Sequence, residues 1–255
     1  MKVSVIATLG TSPPVVTEFI QYLEKEERVS DLTLIVTGEK MIQEGAKLLE
    51  AAIKSRYPHI HVHIKNLPFN DIITDEDNIK FMGICADILR EQRERYNADK
   101  IYVCLAGGRK EMGTSLAMLG QILDVDAVYH VVAPNIKSMS VDLERARHDI
   151  SELAASPDPM EYYTRKRELF DALMYPPPST YNVIRIPVIP YPKEVLYQIA
   201  SLLSANVIER SKVRISPDLM KRLSTAGLIK LTREKVYVLD AGRAFYQQIL
   251  RKEGF

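Results

Sequence analysis

Residues 2–16 read KVSVIATLGTSPPVV: a β-branched apolar run that breaks into a glycine, two hydroxyls and two prolines, then resumes as an apolar pattern. The run reads as a strand and Pro13 to Glu26 as a helix, so the residues between them are the turn of a βα unit. Ser12 occupies the expected N-cap position, directly ahead of a proline. At such a junction the first helical N–H groups lack intrahelical partners, and the helix dipole adds positive potential that suits a phosphate. Gly10, with no Cβ, lets a ligand come close to the backbone. The turn is neither a P-loop, since Lys-Ser/Thr is missing, nor a dinucleotide fingerprint, since the glycine spacing is wrong. Taken alone it is also what any well-capped βα turn looks like.

The unit recurs along the chain. LTLIVT (32–37), HIHVHIK (59–65), KIYVCLA (100–106) and AVYHVVA (127–133) read as strands, and residues 40–56, 75–96 and 110–123 as helices between them. Repeated βα units with apolar strands predict an α/β fold, a Rossmann-like, doubly wound, mostly parallel sheet with helices on both faces. After Ala133 a polar segment leads to a helix around PMEYYTRKRELFDAL (159–173). YNVIRIPVI (181–189) then alternates like a strand whose Pro187 suits a sheet edge.

The domain boundary falls near Pro190, giving a Rossmann-like domain over residues 1–190 and a smaller one over 191–255. In the second, Lys193 to Leu203 is helical in pattern, and Ser216-Pro217 caps and opens a helix that ends near Gly227. LIKLTREKVYVL (228–239) reads as two strands around a tight turn, followed by a helix capped by Asp240 and reaching Leu250. That order matches a winged helix-turn-helix.

Composition bounds the possibilities. The 255 residues are 46% hydrophobic and 26% charged, which predicts a folded core rather than disorder. The N-terminus carries no signal-peptide pattern and no window is apolar enough to span a bilayer, so the reading is cytoplasmic with no membrane partner. Cys85 and Cys104 are too few and too far apart for a disulfide framework or a thiolate metal site. Net charge is +1, but Lys+Arg against Asp+Glu is 18 to 22 in residues 1–150 and 16 to 11 beyond. The basic C-terminal part suits a polyanion or a solvated surface equally.

A second glycine turn, AGGRKEMG (106–113), also follows a strand and opens a helix. Both turns lie at the C-terminal ends of parallel strands, the edge where doubly wound sheets bind ligands, and a switch point can bring them together. Arg109 can grip a phosphate bidentately, Lys110 can add a point charge, and Gly107 and Gly108 can expose amides to the same anion. Cations are mildly unfavourable at a helix N-terminus, so their presence there argues for an anionic ligand.

ATLGTSP after the first strand together with AGGRKEM after a later one resembles the CRISPR-associated Rossmann-fold (CARF) proteins, and within them the standalone ring nucleases. The resemblance covers about the first 190 residues, and an appended winged helix-turn-helix fits it. It implies a homodimer whose paired domains form one pocket for cyclic oligoadenylate, most often cyclic tetra-adenylate, the alarm molecule of type III CRISPR systems. The implied chemistry needs no metal and no cofactor: a ribose 2′-OH attacks its adjacent phosphate, leaving a linear product with a 2′,3′-cyclic phosphate. It also implies Ser12 as an active-site hydroxyl and a basic pair on a helix beyond the fifth strand. In YYTRKRELF (162–170) that pair is read as Lys166, the catalytic cation, with Arg165 on phosphate; a slip of one residue would substitute Arg165 or Arg167. Gly10, Thr11, Gly107, Gly108, Arg109, Lys110 and Met112 complete the ring-binding set. The same lysine and arginines also fit a solvated helix face.

Other patterns carry less. Three histidines alternating in HIHVH (59–63) would sit roughly 6.6–6.8 Å apart per two-residue step, an awkward geometry for one tetrahedral ion. Arg56 to His61 has the R-x4-H spacing of HEPN ribonucleases but contains Pro58. The serious alternative is a regulator that senses the ring and binds DNA without cleaving anything. Lys221 and Arg222 would then enter the major groove and the turn Thr232 to Lys235 would touch the backbone. The same domain could instead serve only for dimerisation or as a lid, with Tyr237 or Phe245 stacking on adenine.

Overall fold

A computed structural model of the chain describes residues 1–133 and 136–255. Its central strand is β1 (Val3–Thr8), buried along its whole length because helices cover both of its faces. Alternation divides its side chains: Val3, Val5 and Ala7 join one apolar cluster and Ile6 the other. Around it stand β2 (Val29–Val36), β3 (His61–Asn66), β4 (Lys100–Cys104), β5 (Ala127–Val132) and β6 (Asn182–Ile186). The order is β3-β2-β1-β4-β5-β6, with the first five strands parallel and β6 antiparallel on the edge. Pro187 follows the last paired residue of β6, where its missing N–H costs the sheet nothing.

The connecting helices are α1 (Pro14–Leu23), α2 (Lys40–Arg56), α3 (Asp75–Glu94) and α4 (Lys110–Ile122). α1 and α2 pack on one face, α3 and α4 on the other. Phe19 of α1 lies 5.1 Å, centroid to centroid, from Tyr129, which seats this helix over β5. Thr74 and Asp77 fix the start of α3 with a reciprocal capping box.

Beyond β5 the structure departs from the sequence reading. The polar segment expected after Ala133 begins with residues 134 and 135, which lie outside the described residues, and then forms α5 (Ile136–Arg145) and α6 (Arg147–Ala155). The single helix expected around 159–173 is two, α7 (Pro159–Arg165) and α8 (Arg167–Met174), broken at Lys166. These helices pack on the α1/α2 face. The Thr17 hydroxyl donates to the Met174 carbonyl, and the Tyr175 hydroxyl donates to the Ala52 carbonyl at 2.6 Å.

Residues beyond Pro190 form α9 (Lys193–Leu203), β7 (Val207–Glu209), α10 (Pro217–Thr225), β8 (Ile229–Leu231), β9 (Lys235–Val238) and α11 (Asp240–Phe245). Ser216 caps α10, its hydroxyl accepting from Leu219 N at 3.2 Å. Asp240 does not cap α11 as expected; it is the first helical residue and pairs with Arg243 one turn on. The three short strands pair antiparallel as β7-β9-β8 over their own apolar cluster. The chain then continues through a π-helical turn, Tyr246–Leu250, that docks on α3. There Ile249 is fully buried, Arg90 donates to the Lys252 carbonyl at 2.8 Å, and Lys252 pairs with Asp87 at 2.8 Å. Among the described residues, no helix is long and apolar enough to cross a membrane.

Candidate functional site

Strand order reverses between β1 and β4, so the loops that follow them, residues 9–13 and 105–109, emerge side by side at the C-terminal edge. They interlock through glycine. A Cβ built on Gly10 would fall inside the Gly107 carbonyl oxygen and 2.8 Å from its carbon. Gly107 itself has φ +107°, and a Cβ on Gly108 would sit 2.5 Å from the Thr8 Cβ. In the direction a Cβ would take, what comes close to Gly10 is the backbone of the other loop rather than a ligand, while its N–H stays without a backbone acceptor among the described residues. The expectation that one edge holds both loops is met.

The electrostatics of the first loop also differ from expectation. Pro13 already has helical dihedrals and stands in the N-cap position, so Ser12 does not cap α1. Prolines at 13 and 14 carry no N–H, which removes two of the donors a cap would satisfy. The next two are internal, Val15 N donating to Ser12 O at 3.3 Å and Val16 N to Pro13 O at 3.1 Å. Open donors therefore come from the loops: the N–H groups of Gly10, Thr11, Ser12, Gly107 and Gly108 have no backbone acceptor among the described residues. Thr11 is exposed, and the half-buried Ser12 hydroxyl makes no hydrogen bond there. The Thr8 and Thr37 hydroxyls, at the ends of β1 and β2, are buried and unpartnered.

Arg109 occupies the N-cap position of α4 with an extended backbone. Its guanidinium lies 2.9 Å from Asp71 Oδ2 and 3.6 Å from Glu39 Oε2. These carboxylates come from the loops after β3 and β2, so the loops after three strands, β2, β3 and β4, meet at this cation. They answer the charge at the helix N-terminus, for which the sequence reading favoured an anionic ligand. Both were missed; their positions just past neighbouring parallel strands were the available signal. Lys110 is exposed and makes no ion pair among the described residues. A shallow depression of about 700 Å³ is lined by Gly107, Gly108, Arg109, Lys110, Met118 and His130. Met112, expected among the ring-binding residues, is 1% exposed. Its side chain packs in the α3/α4 cluster, because the first turn of α4 turns that position inward.

The basic run is split among separate partners. Lys166, at the break between α7 and α8, donates its N–H to the Tyr162 and Tyr163 carbonyls and places Nζ 3.3 Å from Asp149 Oδ1. The Tyr162 hydroxyl donates to Glu152 at 2.6 Å and to the same Asp149 at 3.2 Å. The Glu152 bond foremost, with burial behind it, pushes this phenol up to about 12, so it stays a donor at neutral pH. Arg165 stacks over the Tyr162 ring at 4.7 Å, and Arg167 pairs with Asp171 at 3.2 Å. No hydrogen bond or ion pair among the described residues joins this helical layer to Ser12.

Sequence reading passed over Glu18, a lone carboxylate in the otherwise apolar start of α1. It is 1% exposed, its Oε2 has no hydrogen-bond partner, and burial raises its pKa to about 7. Two of the three alternating histidines stand beside carboxylates. His59 lies outside β3 beside Glu24, and His63 Nε2 lies 3.0 Å from Asp31 Oδ1. Among the described residues, no group of three or more His, Cys, Asp or Glu side chains is placed to hold a metal ion.

Fold and edge together define a doubly wound α/β protein whose glycine loops converge at the β1/β4 switch point. The chain belongs to the family described as CRISPR-associated protein NE0113 (Cas_NE0113), whose profile matches residues 12–217. Over 135 residues it is 23% identical to a protein of Saccharolobus solfataricus named CRISPR system ring nuclease SSO2081, covering 51% of this chain and 71% of that one. Among solved structures it is similar to Enterococcus italicus Csm6 bound to cyclic hexa-2′-fluoro-hexa-dAMP, at 15% identity and a TM-score of 0.49. That similarity takes in 80% of this chain and 46% of the other, so the chain spans less than half of that protein, and it carries no argument about function.

Proposed function

We propose that this protein is a ring nuclease that binds cyclic tetra-adenylate and opens it, switching off type III CRISPR signalling in the cytoplasm. The observation that carries the reading is the glycine interlock at the switch point, which sets five open amides beside Arg109 and Lys110. Membership of a CRISPR-associated family and distant similarity to a ring nuclease supply the ligand class. Two copies would join their edges around one ring, so that each contributes its loops to a shared pocket.

The reaction asks little of the protein. A ribose 2′-OH loses its proton to water as its oxygen forms a bond to the adjacent phosphorus, the P–O5′ bond breaks, and the departing 5′-oxygen takes up a proton from water. The linear product keeps a 2′,3′-cyclic phosphate, and no metal enters the step. Ser12 holds the scissile phosphate or orients the 2′-OH, while Thr11 and the loop amides bind the backbone of the ring. Arg109, Lys110 and Arg165 bind phosphates, and Lys166 answers the charge that develops on the leaving oxygen. For this, Lys166 exchanges Asp149 for the substrate. Residues 191–255 are read as a winged helix-turn-helix. Lys221 lies on the exposed side of α10, whereas Arg222 is taken up by Asp218 at 2.7 Å.

Incubating the protein with cyclic tetra-adenylate in EDTA tests the reading. Linear di-adenylate with a cyclic phosphate end, lost in Ser12→Ala and Lys166→Ala, is the expected result. An intact ring overturns it. If the ring stays intact and sequence-specific DNA binding responds to it, a sensor-regulator takes its place.

A further inference from the structure

A cavity of about 190 Å³ lies between α1, α5 and α8, with Ala133 and Thr180 at its rim. Ala133 follows β5, and Thr180 stands two residues before β6, whose first residue Asn182 pairs with Val132. The cavity therefore opens at the same edge of the sheet as the glycine loops. Glu18 lines it from one turn inside the helix that the first of those loops begins.

Most of the wall is apolar: Ala133, Met139, Ala172, Leu173 and Pro176. Glu18 lines it too, 1% exposed and with Oε2 buried and without a hydrogen-bond partner. Burying a polar atom without a partner is costly, and native proteins leave few such atoms without a purpose. The space is several times the ~30 Å³ share of one liquid water, so a single bridging water does not account for it.

We propose that this cavity receives an adenine base of the ring and that Glu18 is the residue that selects it. The inference rests on the cyclic-adenylate reading and adds to it the origin of base specificity. A protonated carboxyl presents an O–H donor and a carbonyl acceptor side by side. Adenine presents the complement, a ring nitrogen that accepts beside an exocyclic amine that donates, which is how a carboxamide reads it. Guanine offers two acceptors on its N7 edge and cannot satisfy both. The flat faces of the base meet the apolar walls.

The groups around Glu18 leave it in the neutral form this requires. Cys104, at the end of β4, is itself pushed up to about 12 by burial and stays a thiol. Tyr181, ahead of β6, is buried, unpartnered and raised to about 12, so it too is neutral. Asp142, on α5, is held by Arg145 at 3.4 Å. α8 presents Ala172 and Leu173. Among the described residues that line the cavity none is a cation, and burial raises the Glu18 pKa to about 7.

The test compares wild type, Glu18→Gln and Glu18→Leu. The probes are 2′-fluoro cyclic tetra-adenylate, which lacks the nucleophile, and its counterpart with unsubstituted purine, which lacks the exocyclic amine, in place of adenine. Wild type binds the adenine ring at least about tenfold tighter than the purine ring, because a buried acceptor is left unpaired by the latter. Glu18→Gln keeps that preference, and Glu18→Leu brings the ratio close to one with its circular dichroism unchanged. Equal preference in wild type and Glu18→Leu overturns the subsite and leaves the ring reading standing. Failure of wild type to bind either ring overturns both.

Discussion

Replacing Glu18 by Gln changes the shape of the protein hardly at all but removes its most strongly perturbed buried acid. Burial lifts the Glu18 carboxyl from 4.5 to about 7. Below pH 4.5 the group is protonated in both folded and unfolded chains, and folding costs no ionisation. Between 4.5 and 7 the unfolded chain ionises first, so the native state holds the extra proton and stability falls as pH rises. At 1.36 kcal/mol per unit, a rise from 4.5 to about 7 amounts to about 3 kcal/mol lost by pH 8. That is a sizeable share of the 5–15 kcal/mol typical of a domain. Glu18→Gln carries no such dependence, so its stability relative to wild type should grow by about 3 kcal/mol from pH 4.5 to pH 8. Urea denaturation followed by circular dichroism at half-unit pH steps measures the difference. Glu27 acts in the opposite direction: its bond from Lys100, above all, lowers its pKa, so it loses stability as pH falls. Both proteins share it, and it cancels. Parallel stability curves for the two would refute the assignment of a buried, unpartnered acid to this position.

Other consequences follow from the edge loops and the helical layer. Gly10→Ala forces its methyl into the Gly107 carbonyl and should cost about 1–3 kcal/mol, read as a lowered Tm, together with loss of ring binding. Asp71→Asn releases Arg109 from its shorter ion pair; because both side chains are partly exposed, stability should change by less than about 1 kcal/mol while affinity for the anionic ring rises. Asp149→Asn frees Lys166 from the carboxylate it must exchange for the substrate and should raise kcat, read by single-turnover ring opening, with KM little changed. Burial raises the Cys85 and Cys104 thiols, so native protein should react with iodoacetamide far more slowly than protein in urea.

The parallel sheet was legible because its signal is repetition. The β-branched runs, the prolines at 13 and 14 and the glycine turn at 106–108 each state a local rule, and the rules agree. Convergence of the two glycine loops followed from strand order alone. α5 and α6 were hidden because they are short, with too few apolar positions to set a period, and the helix read over 159–173 carries no internal proline or glycine to signal its break at Lys166. The carboxylates on Arg109 were hidden for another reason: Glu39 and Asp71 are remote from it in sequence and meet it only once four strands are in order. Ser12 shows a local rule overruled, since a second proline moved the helix start and removed the donors it would have capped. Met112 shows the limit of motif reasoning. Adjacency to a binding loop does not say which way a helical side chain points.

The interlock of Gly10 with Gly107 also bears on how such a protein can change over time. Two loops that share one van der Waals surface cannot drift independently, since any side chain gained by one displaces the other. Variation in what the edge accepts is therefore channelled outward, to Thr11, Ser12, Arg109 and Lys110, whose side chains leave the seam rather than fill it. The glycines act as a fixed hinge pin, and the specificity of the edge is interchangeable hardware mounted on it.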